Sequence, residues 1–212
     1  MSAAWGAYSK RELTMPDFDI PSRRVLLKTS LAVGGLYLAA PLARGQAAAP
    51  TPACHDHDEP TRPDIEGPFF KPRSPERADL VAAGTRGRIF QLEGMVLSRS
   101  CKPLSNVLLD LWHADENGDY DNSGFGYRGH LRSDAAGNFR FRTIMPGLYP
   151  GRTRHYHFKV QAPQRPILTT QLYFPNEPRN ELDDFYSPEL LMRITNGSSA
   201  SVARFDFILN IA

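Results

Sequence analysis

The sequence predicts an all-β fold, a single antiparallel β-sandwich domain, from three observations. Apolar residues recur with period two in short runs, not with the 3.6-residue period of an amphipathic helix. Gly, Pro, Asn and Asp separate those runs, as turn residues do between the strands of a sandwich. A chain of 212 residues with 41% hydrophobic content can also bury one sizeable core, and no internal repeat marks a second domain.

Phe90, Leu92, Gly94 and Val96 alternate with Gln91 and Glu93 and define the first strand. Val107, Leu109 and Leu111 form one face of the next, with Leu108, Asp110 and Trp112 on the other. Phe139, Phe141 and Thr143 alternate with arginines, and further strands are expected near residues 155–162, 167–174 and 202–210. Residues 178–194 are expected to hold a short helix or an ordered loop. Trp112 and His113 are assigned to the core and a loop, outside any site.

Residues 1–47 read as a targeting segment, not as part of the fold. Ser22-Arg23-Arg24-Val25-Leu26-Leu27-Lys28 carries paired arginines, residues 29–42 are mostly apolar, and Gly45-Gln46-Ala47 offers small residues for cleavage. The pattern is that of a twin-arginine export signal, with a Sec signal as the nearer competitor and an uncleaved anchor as the other. The apolar stretch is shorter than the roughly 20 residues that span a bilayer, so no stable membrane insertion is expected after cleavage. A periplasmic or extracellular location follows. Residues 48–63, rich in Pro, Ala and charge, read as a flexible lead-in, and residues 64–212 as the sandwich domain. His55 and His57, in the lead-in, are read as a solvated cluster without preorganisation.

Residues 1–47 hold six of the 25 Lys/Arg and three of the 23 Asp/Glu, which leaves 19 basic against 20 acidic residues and a net charge of −1. A near-neutral domain with no basic run gives no argument for nucleic acid binding. A homo-oligomer is entertained, although no exposed apolar stripe predicts its interface. The only cysteines, Cys54 and Cys101, fall outside any Cys-x-x-Cys motif. A disulfide between them would contribute roughly 3–4 kcal/mol in the chain-entropy model, and the sequence leaves open whether it forms.

Four residues carry the candidate chemistry: Tyr120, Tyr149, His155 and His157. Hard trivalent iron favours anionic oxygen, and imidazole suits iron well, so two phenols and two imidazoles together suggest a non-haem Fe(III) site. The two histidines are two apart, so on a strand both rings reach one ion. The same alternation is what the wet face of any half-buried strand shows, and what argues against that reading is the company around the pair.

That company is specific. Leu108-Leu109-Asp110-Leu111-Trp112-His113-Ala114-Asp115, Gly118-Asp119-Tyr120, Arg128-Gly129, Ser133-Asp134, and the run from Phe139 through Pro146-Gly147-Leu148-Tyr149-Pro150 stand in order before Arg152 and His155-Tyr156-His157-Phe158. Thr169-Thr170-Gln171-Leu172-Tyr173-Phe174 and Phe205-Asp206-Phe207 follow, and Glu66-Gly67-Pro68-Phe69-Phe70 precedes. Over roughly residues 61–210 the sequence resembles the intradiol ring-cleavage dioxygenases, the family of catechol 1,2-dioxygenase and protocatechuate 3,4-dioxygenase. The resemblance implies a β-sandwich, ferric iron held by Tyr120, Tyr149, His155 and His157, a catecholic substrate, O2, and a muconate-type product. It further implies that Tyr149 leaves the metal when substrate arrives, that Arg152 stabilises charge on the substrate ring, and that Gln171 lies beside the ligands. The chain lacks the long helical N-terminal region of catechol 1,2-dioxygenases, so the compact protocatechuate-type core is the closer guide. It departs from the family in a short Tyr149–His155 segment and in Thr153, which stands where proline is usual. The shortened loop implies a more open pocket and leaves catechol, protocatechuate and hydroxyquinol all open as substrates.

Two other functions fit parts of the pattern. A transthyretin-like sandwich would use the same strand and turn residues without binding iron. A ferrous oxygenase would need a carboxylate beside His155 and His157, supplied by Asp110, Asp115 or Asp119 through folding, since no acid follows His157 until Glu177.

Overall fold

The computed structural model describes residues 59–212; the predicted signal, His55, His57 and Cys54 lie outside them. Among the described residues nine strands make two sheets, and helix is confined to two single 3-10 turns, Asn180–Leu182 and Pro188–Leu190. Those turns occupy the segment expected as a short helix or loop. Strands β1 (Ile89–Ser98) and β4 (Asn138–Ile144) lie in the first sheet with β7 (Arg193–Thr195), β8 (Ser201–Arg204) and β9 (Phe207–Leu209). Its order is β4-β1-β8-β7, with β9 paired further along β1. The second sheet runs β3-β2-β5-β6, from β3 (Arg128–Arg132), β2 (Leu108–Trp112), β5 (His155–Gln161) and β6 (Leu168–Tyr173).

The second sheet is antiparallel throughout, whereas β8 and β9 pair with β1 in parallel. The expected strand near residues 202–210 is therefore two short strands on one partner. The Phe205 N–H donates to the Glu93 carbonyl at 3.1 Å, and the Asp206 carboxylate accepts from the Met95 N–H at 2.9 Å, which fixes the step between them. β3 and β7 carry too little apolar alternation to be expected; β3 reads Arg-Gly-His-Leu-Arg and lies at a sheet edge.

The core fills the space between the sheets. Phe139 and Phe141 of β4 meet Phe158 of β5 at centroid distances of 6.3 and 6.2 Å, and Phe207 packs on Phe158 at 5.1 Å. Each such ring contributes roughly 1.5–3 kcal/mol by leaving water. On β5 the alternation sends Tyr156, Phe158 and Val160 into this core. His155 and His157 therefore project from the other face of the sheet. That face is covered as well, for both imidazoles are buried, at 4% and 2% exposure. Cys101, at a turn after β1, is disulfide-bonded.

Candidate metal centre

Register places the imidazoles. His157 is paired with Trp112 on β2 and with Gln171 on β6, and His155 with Tyr173. The Trp112 indole lies parallel to the His157 ring, with centroids 4.9 Å apart and planes within 7°, and Phe70 closes over the indole edge-on at 5.0 Å. His155 is oriented differently: its Nδ1 is 2.6 Å from the Thr153 carbonyl, which can only accept, so Nδ1 carries the proton and Nε2 a free lone pair.

The phenols come from loops. Asp115 knots the turn before Tyr120 by accepting from the N–H groups of Asn117 and Asp119 at 2.8 and 3.0 Å. Asp121 knots the turn after it, accepting from Gly124 and Gly126, and these bonds hold its carboxyl down at about 2. Tyr149 is brought alongside by close backbone approach. A Cβ on Gly147 would lie 2.2 Å from the Gly118 nitrogen, and one on Gly118 would lie 2.4 Å from the Leu148 carbonyl oxygen. Only glycine at both positions lets the two loops touch. The Tyr149 ring then stands edge-on to Tyr120, centroids 5.7 Å apart, and Phe69 stacks on Tyr120 at 4.3 Å.

These elements converge on one point. The Tyr120 hydroxyl lies 3.2 Å from His155 Nε2 and 3.0 Å from His157 Nε2, and the two Nε2 atoms are 3.1 Å apart. Burial lowers the His155 imidazole to about 4, with the Arg152 charge adding to the effect, and takes His157 well below the ordinary histidine value. Both rings are thus neutral near pH 7. Burial raises the Tyr120 phenol, against the pull of Arg152 and Arg128. One phenolic proton cannot serve both nitrogens, and His157 Nδ1 is buried without a partner. Bonds of about 2.0–2.1 Å from one ion to three donors at roughly right angles put those donors about 3 Å apart, so the triangle fits a cation. An anionic oxygen and two imidazoles suit ferric iron.

Arg152 and Gln171 are bonded to each other beside this triangle. Arg152 Nη2 donates to Gln171 Oε1 at 2.7 Å, while Gln171 Nε2 donates to the Ile65 carbonyl at 2.9 Å. Arg154, two residues on, pairs instead with Glu177 at 3.2 Å. His113 is buried behind β2 against Thr143 Oγ1 at 2.6 Å and the Ala114 carbonyl at 2.7 Å, outside the cluster as expected. No carboxylate joins the pair to make a ferrous triad: among the described residues no three of His, Cys, Asp and Glu converge. Asp110 accepts from the Ser74 hydroxyl at 2.8 Å, the Asp115 carboxylate is spent in the turn, and Asp119 is exposed.

Sequence reasoning missed Trp112, Phe69, Asp183 and Arg128. Arg128 is 1% exposed, donates to the carbonyls of Phe69 at 2.5 Å and Asp121 at 3.2 Å, and leaves Nη2 buried and unpartnered. It is a fixed cation beside Tyr120. Its place next to Gly129 in a short polar run was the only available signal.

A family model described as Dioxygenase matches residues 65–210. This chain belongs to the intradiol dioxygenase family. It is similar to the dioxygenase domain of a dioxygenase carbohydrate-binding protein fusion from Streptomyces sp. SirexAA-E, with 53% identity, 73% of this chain and 100% of that one covered, and a TM-score of 0.71. It is 28% identical to hydroxyquinol 1,2-dioxygenase of Corynebacterium glutamicum, over 60% of this chain and 50% of the relative. Identity with catechol 1,2-dioxygenase 2 of Acinetobacter lwoffii is 32%, over 54% and 51%. The chain thus spans about half the length of the curated relatives it matches.

Proposed function

We propose that this protein is a non-haem Fe(III)-dependent intradiol dioxygenase. It cleaves a catechol-type ring between the two hydroxyl-bearing carbons with O2 and releases a muconate-type dicarboxylate. The observation that carries the reading is the buried triangle of one phenol and two neutral imidazoles, with a second tyrosine ring against it. Family membership supports the reaction class.

Tyr120, His155 and His157 would hold the ion, with Tyr149 completing the set. When bound, ferric iron supplies the charge that lets a catechol bind as its dianion near neutral pH and the electron acceptor that opens the ring to O2. Tyr149, half-buried on its loop, takes up one substrate proton at its phenolate oxygen. Arg152 offers a fixed cation to charge developing on the ring, worth several kcal/mol in a site that excludes water. Gln171 holds that guanidinium in place, and Trp112 and Phe70 keep water from the back of His157.

Export by the twin-arginine route belongs to the same proposal, supported by the arginine pair and apolar stretch of residues 1–47. No helix among the described residues is long and apolar enough to cross a membrane. Recovery of the mature protein from the cytoplasmic fraction would remove this part.

The test is the visible spectrum and iron content of the mature protein, repeated anaerobically with catechol. Tyrosinate on ferric iron gives an intense visible band that shifts when catechol binds. A protein that stays colourless and iron-free after reconstitution would sink the reading and promote the transthyretin-like binding module.

A further inference from the structure

The geometry points to Asp183 as a positioning residue that couples the substrate-facing cation to one metal ligand. Its side chain is only 1% exposed, and every contact it makes leads to the site. Oδ1 and Oδ2 accept from Arg152 Nε at 3.0 and 2.8 Å. Oδ2 also accepts from the Thr153 N–H at 2.8 Å, and Oδ1 from the Phe185 N–H at 3.0 Å. The Phe185 ring in turn lies 4.9 Å from the Arg152 guanidinium.

Thr153 carries the second branch. It is fully buried, and its hydroxyl donates to Asn180 Oδ1 at 2.7 Å, while Asn180 Nδ2 is tied to the Phe174 carbonyl at 3.0 Å. The Thr153 carbonyl then accepts the Nδ1–H of His155, the bond that leaves Nε2 free for a metal. A proline at 153 would have no N–H to give Asp183. In this chain a remote carboxylate supplies the stiffness that a ring would supply locally. Neutralising it releases Arg152 and loosens the peptide that sets the His155 tautomer, so two functions fail together.

The inference uses the ferric reading only for its metal and catechol measurements, all made on the full chain. In metal-free protein, long-range 1H–15N spectra report which nitrogen of His155 is protonated. Wild type is expected as the Nδ1–H form and Asp183→Asn as a mixture with Nε2–H. In iron-loaded protein, Asp183→Asn is expected to lose iron to a chelator about tenfold faster and to bind catechol anaerobically about tenfold more weakly. Arg152→Gln weakens catechol binding alone. A lowered melting temperature with wild-type tautomer, iron retention and catechol affinity would overturn the proposal, since that is what a merely structural role gives. Should Asp183→Asn fail to fold, Thr153→Ala removes the Asn180 tie and keeps the N–H; iron loss about threefold faster supports the brace, and unchanged tautomer and retention overturn it. Wild type that takes up no ferric iron fails the functional reading, and the His155 tautomer then decides this one.

Discussion

The site has two walls built by different means. The imidazole wall is strand: His155 and His157 leave alternate positions of β5, His157 fixed by the ladders to β2 and β6 and His155 by the ladder to β6. The phenol wall is loop: Tyr120 and Tyr149 are held by two carboxylate-knotted turns, a glycine-to-glycine approach and a stacked Phe69. A ladder cannot release one residue without disturbing its neighbours, whereas a loop contact can. Both imidazoles are thus on the sheet, whereas Tyr149, the proposed ligand expected to leave when substrate arrives, is on a loop, as is Tyr120, which Phe69 stacks against.

Breaking the strand wall has the largest expected effect. His157→Ala removes a donor from a position that register cannot refill, and the variant should retain at most about a tenth of wild-type iron, read by metal analysis and loss of colour.

Next comes acid. Burial holds His113 at about 4, against about 6.5 in the unfolded chain, so its neutral form favours folding at neutral pH. That stability is complete above about pH 6.5 and is lost as pH falls towards 4, about 3 kcal/mol for this ring alone. Denaturant midpoints of metal-free protein should fall over that window, with His155 and His157 adding in the same direction. An unchanged midpoint between pH 7 and 4.5 would contradict the buried neutral state.

The loop wall is tested by Gly147→Ala, whose new Cβ must displace backbone at Gly118 and Asn117. The expected cost is about 2 kcal/mol, with weaker catechol binding and iron largely kept. Loss of iron as complete as in His157→Ala would show that the two walls are not separable. Tyr149→Phe is the mildest change. Removing only the hydroxyl should alter stability by less than about 0.5 kcal/mol while shifting the visible band, which equilibrium unfolding and absorption spectra check separately.

Much of the scaffold was legible because alternation is a local signal. Leu92, Leu109, Leu111, Phe139, Phe141, Tyr156 and Phe158 are all buried on the expected face. β3 was not legible, since an edge strand with Arg at both ends has no apolar period to read. Tyr120 and the His pair could be named from the sequence, but their partners could not. Asp183 lies about 30 residues beyond Arg152, and only tertiary closure makes it a buried carboxylate. The turn-forming role of Asp115 was likewise hidden until its side chain was seen to accept the Asn117 and Asp119 N–H groups, with the Asp119 carbonyl closing the Tyr120 turn. Parallel pairing of β8 and β9 with β1 depends on long-range topology that period two does not encode.

The parallel stack of Trp112 on His157 has an optical consequence. The chain has two tryptophans, and the other, Trp5, falls in the segment expected to be removed on export, so Trp112 would be the sole indole of the mature protein. An emitter in face contact with a metal-binding ring is quenched when a ferric centre forms on that ring. On the proposed ferric reading the protein would carry its own gauge of iron occupancy: tryptophan emission should drop as iron loads and recover on chelation, without any label.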